Sequence, residues 1–172
     1  MLIEFKGMRP QISDEVAFVA DEAVIAGDVR IGKGSSVWFF ASIRAEVDSI
    51  TIGECSNVQD HCMLHADYDC PIRIGDRVSI GHNAIVHGAT IEDDTIVGMG
   101  AIVMNGAVVG EGSRIAAGAL VAQNKVIPPY SLVVGVPGKV VKTLEKGSRP
   151  QEGNDEVYTA DALEYAQRKI VG

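Results

Sequence analysis

The stretch Ile91–Val133, IEDDTIVGMGAIVMNGAVVGEGSRIAAGALVAQNKVIPPYSLV, decides the fold. An aliphatic residue stands at every sixth position: Ile91, Val97, Val103, Val109, Ile115, Val121, Ile127 and Val133. Toward the N-terminus the period continues, after one missing residue, through Val86, Ile80 and Ile74. Beyond a four-residue excess come Leu64, Val58 and Ile52, and beyond a three-residue excess Ile43, Val37, Ile31, Ile25 and Val19. All of these are Ile, Val or Leu, although those three types fill only 45 of the 172 positions. Glycine often follows the aliphatic (Gly32, Gly53, Gly75, Gly81, Gly98, Gly110), and a small residue often stands four after it (Ala23, Ser35, Ala41, Ser56, Ala84, Thr95, Ala101, Ala107, Ser113, Ala119). One hexad cannot bury its own aliphatic, but stacked hexads bury a continuous column, with small residues at the corners. The period therefore predicts a mainly β protein, a parallel β-helix of about six coils with three short strands per coil.

Composition agrees. Nine aromatics make only 5% of the chain, so the core must come from β-branched aliphatics, which favour strands. A net charge of −8 and the lack of any Lys or Arg run argue against a nucleic-acid surface. No apolar run reaches the ~18–20 residues that span a bilayer, and MLIEFKGMRP lacks a signal-peptide pattern. Cys55, Cys62 and Cys70 have no zinc-site spacing and read as small core or corner residues of a reducing, cytoplasmic compartment. Three segments are expected: a repeat domain over 1–142, in which 1–18 lead in and cover the first coil; a linker over 143–154; and a helix over 155–172. Tyr158, Ala162, Leu163, Tyr165, Ala166 and Ile170 give that helix a 3.6-like spacing and a face to lay on the β-helix.

Counting hexads around a triangular prism places every third one on the same face. Ile43, Leu64, Val86 and Val103 share a face, and the residues after them are Arg44, His65, His87 and Met104. His65 and His87 are thus stacked on adjacent coils. On the neighbouring face, Asp60 and His82 stand two after Val58 and Ile80 and are also stacked. Side chains on two faces of one prism diverge, so His82 is expected to come from a neighbouring subunit. The reading is a homotrimer with a metal at each interface, bound by His65 and His87 of one chain and His82 of the next. Three imidazoles and an open position form a catalytic zinc arrangement; iron(II) or cobalt suits the same nitrogen set. His61 has no stacked partner and reads as a surface or interface residue, and Met104 as a wall.

The strings NVQDHCMLH (Asn57–His65) and GHNAIVHG (Gly81–Gly88), with Arg44-Ala45-Glu46 upstream, resemble the gamma-class carbonic anhydrases. The resemblance implies a left-handed β-helix, a homotrimer, and His65, His82 and His87 as the ligands of an interfacial metal. It implies that Gln59 orients the metal-bound water or hydroxide and that Arg44 and Asp60 form an ion pair across the interface. Glu46, where the family commonly has Asp, would join that polar network. The implied reaction is reversible hydration of carbon dioxide, a small-molecule substrate, to bicarbonate, by water whose pKa the metal lowers toward 7.

The family's most active archetype carries a long acidic loop with a proton-shuttling glutamate. Here the segment His65–Pro71 is short, with Asp67, Asp69 and His61 as the nearby candidate shuttles. Other functions for the same chain are a catalytically weak trimeric metal-binding homologue, and a hexapeptide-repeat acyltransferase or metal-dependent acyl-thioester hydrolase.

Overall fold

A hexad with one inward aliphatic and a turn at its end produces a very short strand, and most strands here are two or three residues long. In the computed structural model, which describes residues 1–147 and 154–168, these strands pair in parallel with those one coil away. The first face stacks Ile25, Ile43, Leu64, Val86, Val103 and Val121. The second stacks Ile31, Ile52, Ile74, Ile91, Val109 and Ile127. The third runs from Val19 through Val37, Val58, Ile80, Val97 and Ile115 to Val133. The hexad positions read from the sequence are therefore the inward column, and nearly all are buried.

The N-terminal segment does more than lead in. Leu2 pairs with Ile25 and Ile12 with Ile31, so residues 1–19 form a coil of their own and the helix has about seven turns. At the other end, Lys139–Thr143 folds back antiparallel on Ser131–Val134 and ends the third face.

The corners explain the small residues. Between the second and third faces, buried Ser35, Ser56, Thr95, Ser113 and Ser131 form a column of hydroxyls. Ser35 Oγ donates to the Gly53 carbonyl at 2.7 Å and accepts from the Ser56 amide at 2.9 Å, satisfying backbone groups that the turn would orphan. Between the third and first faces the column is Ala23, Ala41, Cys62, Ala84, Ala101 and Ala119, all buried. The residue before each corner often takes a left-handed conformation, at Phe40, His61 and Asn83 on one edge and Cys55, Arg77 and Asp94 on another. All three breaks in the hexad count fall between the first and second faces, which gathers the irregular chain at one edge.

The helix Asn154–Ala166 lies on the third face of its own chain. Ala162 is fully buried and Tyr158 partly so. Trp38 meets the rings of Tyr158 and Tyr165, each at 5.4 Å, and Phe18 meets Tyr165 at 5.9 Å. Arg168 bonds Asp21 at 2.7 Å beside the first coil. Of the other residues expected on the packed face, Leu163 is exposed, and Ile170 lies outside the described residues, as does the 148–153 half of the expected 143–154 linker. No helix among the described residues is long and apolar enough to cross a membrane.

Candidate metal centre

His65 ends the strand Met63–His65 and His87 ends Ile85–His87, and the two residues pair directly in register. Both side chains leave the first face where the chain departs from the hexad rule. His65 Nδ1 and His87 Nε2 stand 3.0 Å apart, with ring centroids at 5.0 Å. The other nitrogen of each ring is already engaged: His65 Nε2 faces Glu46 Oε2 at 3.1 Å, and His87 Nδ1 bonds Asn105 Oδ1. Glu46 also pairs with Arg44 through Oε1. One carboxylate thus spans from the arginine to the imidazole.

A carboxylate only accepts hydrogen bonds, so His65 carries its hydrogen on Nε2. Asn105 Nδ2 donates to Asp67 Oδ2 at 2.8 Å, which turns the amide oxygen toward His87 and puts that hydrogen on Nδ1. Two lone pairs then face each other across 3.0 Å. Such a contact is unfavourable without a cation between them, and this donor set suits a first-row divalent metal.

His82 lies on the adjoining face, in a separate network. Its Nδ1 donates to Asp60 Oδ2 at 2.8 Å, and its backbone amide donates to Gln59 Oε1 at 3.1 Å. Gln59 is buried and fixed at its other end, where Nε2 donates to Asn57 Oδ1 at 3.0 Å; Asn57 in turn donates to Ser79 at 3.0 Å. His82 Nε2 faces outward, 3.4 Å from the Tyr158 hydroxyl. Burial, and then the nearby Asp60 charge, raise the Tyr158 pKa, so the phenol keeps its proton at neutral pH. Gln59, Gly81, His82, Gly98, Met99 and Tyr158 border a cleft of about 240 Å³.

The structure thus brings Arg44, Glu46, His65 and His87 together and sets Gln59, Asp60 and His82 apart as a second group. Within one chain Arg44 pairs with Glu46 and Asp60 with His82, not with each other. Among the described residues no three His, Cys, Asp or Glu side chains of one chain group closely enough to hold a metal. His61 sits in a left-handed corner with its ring stacked on Phe40, at 5.2 Å and 8°. Met104 is partly exposed. Cys55, Cys62 and Cys70 are free thiols, and burial pushes Cys62 up to about 12. The Asp67 carboxyl is held below its ordinary range by the Tyr68 backbone amide and by Asn105.

Asn105 and Tyr158 were not legible as site residues. Asn105 belongs to the next coil and reaches back across the corner, a contact with no fixed hexad offset. Tyr158 reads as a packing residue, and only its hydroxyl meets the site.

These features define a hexapeptide-repeat β-helix protein with paired imidazoles at one edge. Residues 88–123 match the repeat family described as "Bacterial transferase hexapeptide (six repeats)". A "Probable carbonic anhydrase" of Methanocaldococcus jannaschii is 62% identical over 126 residues, covering 73% of this chain and 79% of the relative. "Gamma carbonic anhydrase 2, mitochondrial" of Arabidopsis thaliana is 42% identical over 142 residues, covering 79% of this chain, which spans about half (51%) of that relative. A solved hexapeptide transferase family protein from Anaplasma phagocytophilum superposes with a TM-score of 0.89 at 36% identity, covering 95% of this chain and 97% of that one. The chain belongs to the gamma-class carbonic anhydrase family.

Proposed function

We propose that the protein is a metal-dependent carbonic anhydrase that hydrates carbon dioxide reversibly to bicarbonate. Its working form is a homotrimer, with metal held by His65 and His87 of one subunit and His82 of the partner subunit. The observation that carries this reading is the facing pair His65 Nδ1 and His87 Nε2, whose outer nitrogens are both committed as donors. His82 repeats part of the pattern, with Asp60 on one nitrogen and the other 3.4 Å from the Tyr158 hydroxyl beside the cleft. Each imidazole is thus oriented by an acceptor in its own chain, the arrangement that fixes ligand tautomers in metal sites.

The chemistry a bound zinc, iron(II) or cobalt ion supplies is activation of water to a nucleophile at neutral pH. Gln59, held at both ends, keeps one amide hydrogen to orient an oxygen in the cleft. Glu46 holds His65, and Arg44 holds Glu46. With His82 of the partner subunit completing the site, the adjacent Asp60 of the partner subunit would come to the same interface as Arg44, where the two would form the ion pair that the family resemblance implies. The free thiols fit a reducing cytoplasm.

A second reading, acyl transfer, draws on the transferase name of the superposed Anaplasma phagocytophilum structure. The test is metal content of freshly purified protein with stopped-flow carbon dioxide hydration on the same sample. One metal per subunit, and hydration lost on chelation, is expected. Full metal without hydration points to the weak homologue or to thioester hydrolysis, and acyl transfer that survives chelation points to the transferase.

A further inference from the structure

The row Asp67–Asn105–His87 crosses three segments of chain. Asp67 lies in the short loop after His65, Asn105 on the coil beyond His87, and the loop is closed by paired backbone bonds between Asp67 and Cys70. Asp67 Oδ2 accepts from Asn105 Nδ2 at 2.8 Å, and Asn105 Oδ1 accepts from His87 Nδ1. An amide can be turned either way, and nothing at His87 alone chooses, since an imidazole nitrogen is donor in one tautomer and acceptor in the other. The carboxylate does choose, because it only accepts.

We infer that Asp67 and Asn105 are positioning residues: the Asp67 carboxylate orients the Asn105 amide, and that amide sets the tautomer that leaves His87 Nε2 free as a ligand. The inference rests on the metal site proposed above. It gives the short loop a role other than proton shuttling, since Asp67 is spent on holding a ligand. It also explains why an asparagine, with one acceptor and one donor side, stands between the two: leucine would serve neither, and aspartate would face a second carboxylate.

Zinc affinity of the full-length protein, by competition with a chromophoric chelator, tests this, with the thermal midpoint of the metal-free form as a fold control. Asn105→Leu is expected to weaken zinc binding about 10- to 100-fold, with little change in the metal-free midpoint. Asp67→Asn and Asn105→Asp each bind more weakly than wild type. The combined Asp67→Asn/Asn105→Asp exchange reverses the donor and acceptor between the two positions while keeping an acceptor on His87. It should return affinity to within roughly threefold of wild type. Wild-type affinity in Asn105→Leu, or a combined variant no better than either single one, overturns the inference. Failure of the wild-type protein itself to bind zinc overturns the metal reading instead, so the two failures are distinguishable.

Discussion

Glu46 shows how one side chain ties charge to orientation: one oxygen takes the arginine and the other takes His65. Glu46→Ala should free the His65 ring and lower zinc affinity about 10- to 100-fold, measured by chelator competition. Cys62 gives a separate test, outside the site. Its thiol sits in the buried corner column, and its pKa rises from 9.0 to about 12 because burial disfavours the thiolate. The unfolded thiol ionises first, so this residue's contribution to stability is full below about pH 9 and declines as pH climbs toward 12. Denaturant melts at pH 8 and pH 10.5 should show a smaller loss for Cys62→Ala than for wild type. At this scale, the register of His65 over His87 could be read in advance because parallel stacking preserves the hexad count. The Asn105 contact could not, since it depends on a side chain reaching across an irregular corner.

At the scale of elements, each strand is too short to stand alone, and the corners carry the precision. Gly27 is the tightest: at φ +82°, a Cβ would lie 2.1 Å from the Ala45 carbonyl oxygen on the next coil. Gly27→Ala should destabilise by more than about 2 kcal/mol, from backbone strain and the clash together, and thermal unfolding would register it. Leu64→Ala, beneath His65, should cost about 2–5 kcal/mol on the same assay. The helix offers a spectroscopic test, because Trp38 is the single tryptophan and lies under Tyr158 and Tyr165. Ala162→Glu should lift the helix and red-shift Trp38 emission while the β signal in circular dichroism persists. An unshifted emission would mean that the helix contributes little to that environment. All of the first coil but Val19 escaped the hexad count because the intervals from Leu2 to Ile12 and from Ile12 to Val19 exceed six, although pairing aligns all three with the columns.

For the whole molecule, the divergence of faces is decisive. His65 and His87 leave one face, His82 another, and the described residues of one chain hold no closer three-ligand grouping. On the same face as the paired histidines, Met63 and Met104 are both exposed. In the proposed trimer this surface would be covered and the ligand set completed in one step, so metal and assembly should be linked. Chelation should then lower the thermal midpoint, as loss of any ligand specific to the folded state does.

The most direct measurement of the shared site is metal content after mixing two defective proteins. His82→Ala keeps His65 and His87, whereas a His65→Ala/His87→Ala chain keeps only His82. Each alone should hold no tightly bound zinc. After unfolding, mixing in equal amounts and refolding, random assortment into trimers should restore zinc to roughly a quarter of the interfaces. Zinc retained by either variant alone, or none restored in the mixture despite trimer formation, would contradict an interfacial metal built from two subunits.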